Sequence, residues 1–156
     1  MNIIYSTIYL FLFCFGITLN AQQAPNQAES KIIEDLIQGA FDDLWAGMDS
    51  TKVLNYHTDD FVILEQGEVW DNDRIKAWMK KRLEKSERPK RINKMDYLSV
   101  EKHGNSLYAA YYNYAEFYQA DSLVNTARWL ESTIAIPTED GYRLKSMHST
   151  WAPEKK

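Results

Sequence analysis

Acid–base chemistry in this sequence centres on Glu131 and His148, which fall in the last two predicted strands. A hairpin turning at Glu139-Asp140 would place the two side chains opposite each other, with Cβ atoms about 5 Å apart. A neighbouring carboxylate raises the pKa of an imidazole and burial lowers it, so the pair could exchange protons near neutral pH. Asp60, ahead of the first strand, is an alternative catalytic acid or base.

Side chains on the same sheet face as this pair define a candidate binding pocket. Because side chains alternate along a strand, the predicted pairing collects aromatic and polar residues beside Glu131 and His148. Tyr112 and Tyr114 could donate to an oxyanion, and Glu116 is a further candidate base. The predicted ligand-binding residues are Trp45, Tyr112, Tyr114, Glu116, Trp129, Thr133 and Ser146. The assignment depends on strand register, since a slip of one residue exchanges the two faces.

The same residues also have an interpretation without catalysis. Glu131, His148 and Tyr114 could satisfy one another's hydrogen bonds at the mouth of a cavity, as buried polar groups normally do. Three classes of function therefore stay open. They are a binding protein for a small hydrophobic or amphipathic molecule, a cofactor-independent isomerase, cyclase or hydrolase, and a non-catalytic homodimer with a structural or regulatory role.

The sequence predicts no metal site, no cofactor and no nucleic-acid partner. His57, His103 and His148 show neither HxH nor HExxH spacing, and there is no phosphate loop or glycine-rich cofactor motif. The 18 Lys and Arg residues are outnumbered by 22 Asp and Glu, which gives a formal net charge of -4. Such a chain has little to neutralise phosphates, so cofactor-free chemistry is the enzymatic option that remains.

The amino-terminal segment predicts export. Residues 1–21 carry no charged side chain, contain an apolar stretch and end in Ala21, which is typical of a cleaved secretory signal peptide. We expect a secreted or periplasmic protein without membrane contact after cleavage; an uncleaved membrane tether is the alternative. Cys14 is the one cysteine, so a chain cleaved after Ala21 has no thiol nucleophile and no Cys-zinc site. A linker over 22–28, a single domain over 29–151 and a tail over 152–156 complete the organisation.

Three helices are predicted ahead of the main strands. Apolar residues recur at spacings of three and four over residues 32–48, which predicts a long amphipathic helix capped by Asn26 and Glu29. A second, shorter helix, capped by Asp49 or Ser50, is predicted through Val53 and Tyr56. One of residues 71–73 caps the third. Basic side chains cluster on the third helix, where we expect a solvated face: Lys76, Lys80, Lys81, Arg82 and Lys85.

The remainder of the chain predicts strands. A short hairpin turns at Gln66-Gly67, and four longer strands cover residues 92–102, 107–118, 127–136 and 142–151. We expect a loop over residues 119–126 between the second and third of these. Helices followed by antiparallel strands indicate an α+β domain with the helices on one face of a sheet.

This order of elements carries a family resemblance. The segments YHTDDF (56–61), DNDRIKAWM (71–79) and TIAIPTEDGYRLKSMHST (133–150) together resemble the nuclear transport factor 2-like superfamily, within it the SnoaL-like and ketosteroid-isomerase-like branch. The resemblance implies a cystatin-like, cone-shaped half-barrel, in which a strongly curved, mostly antiparallel sheet wraps three N-terminal helices around a pocket. It also implies a homodimer formed through the outer sheet face. The catalytic Asp pattern of ketosteroid isomerases does not carry over, because the first strand reads Val62, Ile63, Leu64 and Glu65.

Overall fold

The computed structural model describes residues 25–152. The predicted signal peptide, the beginning of the predicted linker and the last four residues of the predicted tail lie outside the described residues. Helix α1 (Gln27–Ala40) begins at the predicted cap: the Glu29 amide donates to Asn26 Oδ1 at 2.9 Å, and the Asn26 amide donates to Glu29 Oε2 at 3.1 Å. This capping box satisfies amide groups that a helix start otherwise leaves unpaired.

Three further helical segments and a 3₁₀ turn follow α1 or connect it to the strands. A π-helical segment, Phe41–Ala46, continues α1 and buries Phe41, Leu44 and Trp45. A 3₁₀ turn, Ser50–Lys52, leads into α2 (Val53–Tyr56), and α3 follows the first hairpin (Asn72–Leu83). Asp71 caps α3, as the Arg74 amide donates to its Oδ1 at 2.8 Å.

Six strands form one curved, open sheet. They are β1 (His57–Glu65), β2 (Glu68–Asp71), β3 (Lys90–His103), β4 (Ser106–Gln119), β5 (Ser122–Thr138) and β6 (Gly141–Trp151). Their order across the sheet is β2-β1-β6-β5-β4-β3, with β1 and β6 parallel and every other pair antiparallel. The predicted α+β class, with helices and a curved, mostly antiparallel sheet, is confirmed.

The hydrophobic core lies between the helices and the concave face of the sheet. Helix α1 contributes Ile33 and Ile37, and β4 contributes alternate residues that face them, among them Leu107, Ala109 and Tyr111. Every second residue in this part of β4 is buried, so these residues define the face of the strand that points to the core. Side chains of even number in this part of β4 therefore point to the convex face.

The connection between β4 and β5 differs from the prediction. The expected loop over residues 119–126 is wrong: the chain turns at Ala120 and Asp121, both with positive φ (45° and 63°), and β5 begins at Ser122. Val124 is an extra residue of β5 opposite the step from Phe117 to Tyr118 in β4. Beyond this β-bulge Tyr111 pairs with Glu131 and Asn113 pairs with Trp129. The odd shift in register moves Tyr112, Tyr114 and Glu116 to the convex face, away from the predicted pocket.

A β-bulge in β6 corrects the other predicted pairing. Ala135 pairs with Leu144 as expected, but Lys145 is an extra residue, and Ile134 then pairs with Ser146. Beyond the bulge Glu131 pairs with Ser149, so the predicted Glu131–His148 cross-strand pair is wrong. A bulge of one residue exchanges the inward and outward positions that follow it.

Candidate functional site

A cavity of about 290 Å³ opens on the concave side between the sheet and the helices. We call it the inner cavity. Its walls combine aromatic and aliphatic side chains with a few polar groups, the usual character of a small-molecule site. The lining residues are Phe41, Trp45, Ile63, Glu65, Gln66, Glu68, Trp70, Trp78, Arg91, Trp129, Glu131, Met147 and Ser149.

Glu131 is the buried carboxyl group of this cavity, with 4% of its surface exposed. Ser149 Oγ donates to its Oε1 at 3.1 Å, and Asn113 Nδ2 donates to its Oε2 at 3.2 Å. Burial raises the pKa of Glu131 to about 7, although these two hydrogen bonds and the charge of Arg91 pull the pKa the other way. A carboxyl group of this kind can give or take a proton near neutral pH.

Buried polar groups extend from Glu131 toward the edge of the sheet. Asn93 Nδ2 donates to Asn113 Oδ1 at 2.6 Å, which orients the Asn113 amide so that its NH₂ group faces Glu131. The Tyr111 hydroxyl is buried beside Glu131, and burial together with the nearby Glu131 charge raises the pKa of Tyr111 well above its usual value. The cavity floor is therefore polar and pre-oriented beneath apolar walls.

Arg91 supplies the positive charge of the cavity. Its guanidinium carbon lies 5.0 Å from the ring centroid of Trp129, 5.7 Å from that of Phe41 and 5.8 Å from that of Phe117. Burial lowers the pKa of Arg91 to about 10, so the group remains a cation at pH 7. Its Nε is buried and has no hydrogen-bond partner among the described residues.

Tryptophan rings and two further carboxyl groups complete the walls. Trp45 and Trp78 lie 5.3 Å apart, and Trp70 lies 6.2 Å from Trp78, measured between ring centroids. Glu65 is half-buried, and burial raises its pKa as it does for Glu131. Glu68 also lines the cavity and forms an ion pair with Arg74. The cavity therefore offers flat apolar surfaces, three carboxyl groups and one guanidinium.

The structure brings four of the predicted site residues to the concave side. Trp45, Trp129 and Glu131 line the inner cavity. Thr133 is also buried, but its hydroxyl donates to the Ser146 carbonyl at 2.8 Å and takes no part in the cavity wall.

Six predicted site residues lie elsewhere. His148 is exposed on the convex face with its Nε2 3.3 Å from Thr150 Oγ1, and Ser146 shares that face. The expectation that their side chains point into the pocket is wrong because of the bulge at Lys145. Asp60 is exposed and forms an ion pair with Lys145.

The predicted β4 residues are engaged on the convex side as well. The Arg128 guanidinium lies 5.1 Å from the Tyr112 ring centroid and 6.0 Å from that of Tyr114. Glu116 is exposed and accepts a hydrogen bond from the Tyr118 hydroxyl at 2.7 Å. These contacts are made outside the cavity, so the predicted oxyanion donors do not face Glu131.

Sequence reasoning missed Arg91, Asn113, Ser149 and Glu65 as site residues. Asn113 carried a usable signal, since it interrupts a run of apolar and aromatic residues in a strand buried at alternate positions. Arg91 carried none, because a cation at the start of an edge strand is usually solvated.

Within residues 25–152, no three His, Cys, Asp or Glu side chains come close enough together to hold a metal ion. None of the helices described there has the length and apolar character that crossing a bilayer requires. The one fully buried histidine, His57, stacks on Phe61 with a centroid separation of 3.7 Å and places Nδ1 2.9 Å from Asn72 Oδ1. It contributes to packing beside α3 and does not line the inner cavity.

A curved open sheet that covers helices and encloses a cavity is the nuclear transport factor 2-like fold, and solved structures agree. Aln2 from a Streptomyces species superposes with a TM-score of 0.71 at 11% identity, covering 83% of this chain and 94% of that one. The CamKII hub homology domain of Chlamydamonas reinhardtii gives 0.70 at 15% identity, over 80% and 99%. An NTF2-like protein from Cytophaga hutchinsonii gives 0.62 at 11% identity, over 82% and 100%.

The predicted fold is therefore confirmed, and these similarities extend to the fold alone. No family model matches the sequence, and no curated protein matches it. Function must consequently be argued from the residues of the cavity.

Proposed function

We propose that this protein binds a small hydrophobic or amphipathic organic molecule in the inner cavity. The observation that carries the proposal is a cavity of about 290 Å³ walled by Trp45, Trp70, Trp78 and Trp129 with a buried carboxyl group at its floor. Rings of this kind favour flat apolar ligands through stacking and burial. Glu131, Arg91 and Ser149 would fix the orientation of a polar substituent.

The proposal is tested by an NMR screen of flat aromatic fragments against ¹⁵N-labelled protein. We expect the largest shifts at the indole N–H groups of Trp45, Trp78 and Trp129. Trp129→Ala should weaken binding of each fragment, whereas Tyr112→Ala should not, because Tyr112 lies on the convex face and does not line this cavity. Shifts confined to the convex face would contradict the proposal.

A second candidate is cofactor-independent acid–base catalysis by Glu131. The pKa of about 7 favours it, since a general base works best when its pKa lies near the working pH. In an isomerisation Glu131 would take a proton from carbon next to a carbonyl and return it at another carbon, while Arg91 would stabilise the enolate oxygen. His148 has no part in this version, because its side chain lies on the opposite face.

This candidate is tested with cyclohex-3-enone, whose conversion to cyclohex-2-enone requires such a proton transfer. We expect ¹H NMR to show faster conversion with the protein than with buffer, and Glu131→Gln to remove the difference. His148→Gln is the matched control and should retain the rate. Equal rates for the two variants would reject Glu131 as the base.

Export and self-association belong to the same proposal. The uncharged residues 1–21 support a cleaved signal peptide and a protein that meets its ligand outside the cytoplasm. Apolar side chains exposed on the convex face support a homodimer formed there: Val62, Leu64, Leu130 and Ile134. The dimer would leave the concave cavity open to its ligand.

A further inference from the structure

A second cavity of about 350 Å³ adjoins the inner cavity, and we call it the basic cavity. It shares Trp45, Trp78, Arg91 and Trp129 with the inner cavity, so the two spaces meet along one wall. Beyond that wall it is lined by the end of α3 and the segment leading to β3. This part contributes the cations Lys81, Arg82, Lys85 and Arg88.

The cations that line the basic cavity form no close ion pairs with other described residues. Within the described part of the chain, none of these four side chains, nor Arg91, has a carboxylate within ion-pair distance. Burial lowers the pKa of Arg91, and the charge of Arg82 lowers it a little further, so these two cations lie near each other at the shared wall. Four cations therefore line the basic cavity without a partner among the described residues, whereas Arg91 also interacts with Glu131 and Glu65 of the inner cavity. A concave surface lined by one sign of charge attracts ligands of the opposite sign.

Arg91 links the two cavities chemically. Its guanidinium lies over the Trp129 ring at 5.0 Å, and its buried Nε has no partner among the described groups. A planar guanidinium that lines a cavity is suited to a carboxylate, sulfonate or phosphate oxygen. The three carboxyl groups Glu65, Glu68 and Glu131 line the inner cavity only, so an anionic group avoids them by lying on the basic side.

We propose that the ligand is an aromatic anion, with its ring among the shared tryptophans and its negative group in the basic cavity at Arg91 and Arg82. This inference rests on the proposed binding function and adds the chemical class of the ligand. It assigns a role to the basic residues of α3 that the sequence alone predicts to be a solvated face.

The test compares 2-naphthoate with 2-naphthamide, which have the same ring and nearly the same shape but differ in charge. Isothermal titration calorimetry should show the anion binding roughly tenfold more tightly at low ionic strength, the usual scale of a charge-assisted contact. The difference should shrink at high salt. Equal binding of both probes would overturn this inference and leave the binding function standing. Absence of binding by either probe would contradict both.

Charge variants on one helix locate the site. Arg82→Gln should weaken 2-naphthoate severalfold and leave 2-naphthamide unchanged. Lys80→Gln is the matched control, since Lys80 is exposed on α3 and lines neither cavity. An equal loss in both variants would show attraction by general surface charge and overturn the proposed site.

Discussion

Glu131 holds its proton to a pH at which an exposed carboxyl group is almost fully ionised. The cause is burial beneath apolar walls, which penalises the carboxylate more than two hydrogen bonds and the nearby Arg91 favour it. Such a site costs folding free energy when the group ionises, and functional sites commonly carry costs of this kind. Because of Glu131, the free energy of unfolding should therefore depend on pH.

Glu131→Gln should remove that dependence. The folded protein binds this proton more tightly than the unfolded chain, so its stabilising contribution is complete below pH 4.5 and is lost as pH rises through about 7. The loss is on the order of 3 kcal/mol. Urea denaturation at several pH values should show the wild type losing stability relative to Glu131→Gln over this range.

His57 also changes the pH dependence of stability. The difference in stability between the wild type and Glu131→Gln is therefore more informative than the pH curve of either protein. Burial lowers the pKa of His57 to about 4, so its contribution is complete above pH 6.5 and is lost as pH falls toward 4. The two groups therefore oppose each other across the same pH range, and the wild-type curve is flattened. A constant difference between wild type and Glu131→Gln would contradict the raised pKa of Glu131.

How far the site could be predicted from the sequence depended on knowing which face of the sheet each side chain occupies. Glu131 and Trp129 were placed correctly on the concave side, because their own alternation along β5 is regular. His148 and Tyr114 were not, since their faces depend on β-bulges at Lys145 and Val124 that leave no clear pattern in the sequence. Local alternation is readable, whereas the offset between strands depends on single irregular residues.

Substitutions in the turn between β4 and β5 should stabilise the protein. Ala120 and Asp121 both have positive φ, a conformation that Asn-Gly adopts more easily. The double substitution Ala120→Asn with Asp121→Gly should raise the free energy of unfolding by about 0.5–1 kcal/mol. Urea denaturation provides the measurement. Asn125→Gly, in the extended part of β5, is the control and should lower stability. Lower stability of the double variant would mean that the chain does not turn at these residues.

The packing of α1 on α2 depends on Gly39. A Cβ at this position would lie 2.7 Å from Tyr56 Cε1, and the Tyr56 ring is fixed by its hydroxyl, which donates to Asp43 Oδ2 at 2.5 Å. Gly39→Ala should therefore destabilise the protein by about 1–3 kcal/mol, although alanine favours an isolated helix.

Thermal unfolding of the single and double variants tests this explanation. In a Tyr56→Ala background the contact is absent, so Gly39→Ala should become neutral or stabilising. A stabilising effect of Gly39→Ala in the wild-type protein would contradict the close approach of the two helices.

At the level of the whole molecule, the helix periodicity, the caps and the succession of strands were sufficient to predict the fold. The amphipathic pattern of α1 and the Asn26 cap are local signals, and they agree with the global architecture. The two cavities, in contrast, could not be predicted from local sequence signals. They arise where curved strands and helices fail to meet, which depends on sheet curvature and is not encoded by a local pattern.

The proposed homodimer is tested on the convex face with a pair of equally exposed leucines. Leu64 lies on that face and Leu83 on α3, each with 47% of its surface exposed. Light scattering should show a dimer that Leu64→Glu converts to a monomer, because a charge in an apolar interface is costly. Leu83→Glu should remain dimeric. A monomeric wild type at high concentration would refute the dimer.

The distribution of tryptophan has a practical consequence. The chain contains five, of which Trp45, Trp70, Trp78 and Trp129 line the cavities and Trp151 lies 5.4 Å from Trp129. Tryptophan fluorescence, excited at wavelengths that tyrosine does not absorb, therefore originates entirely from indoles at the site or in contact with it. The protein carries its own optical sensor, so quenching or a spectral shift of that emission reports occupancy without any added dye.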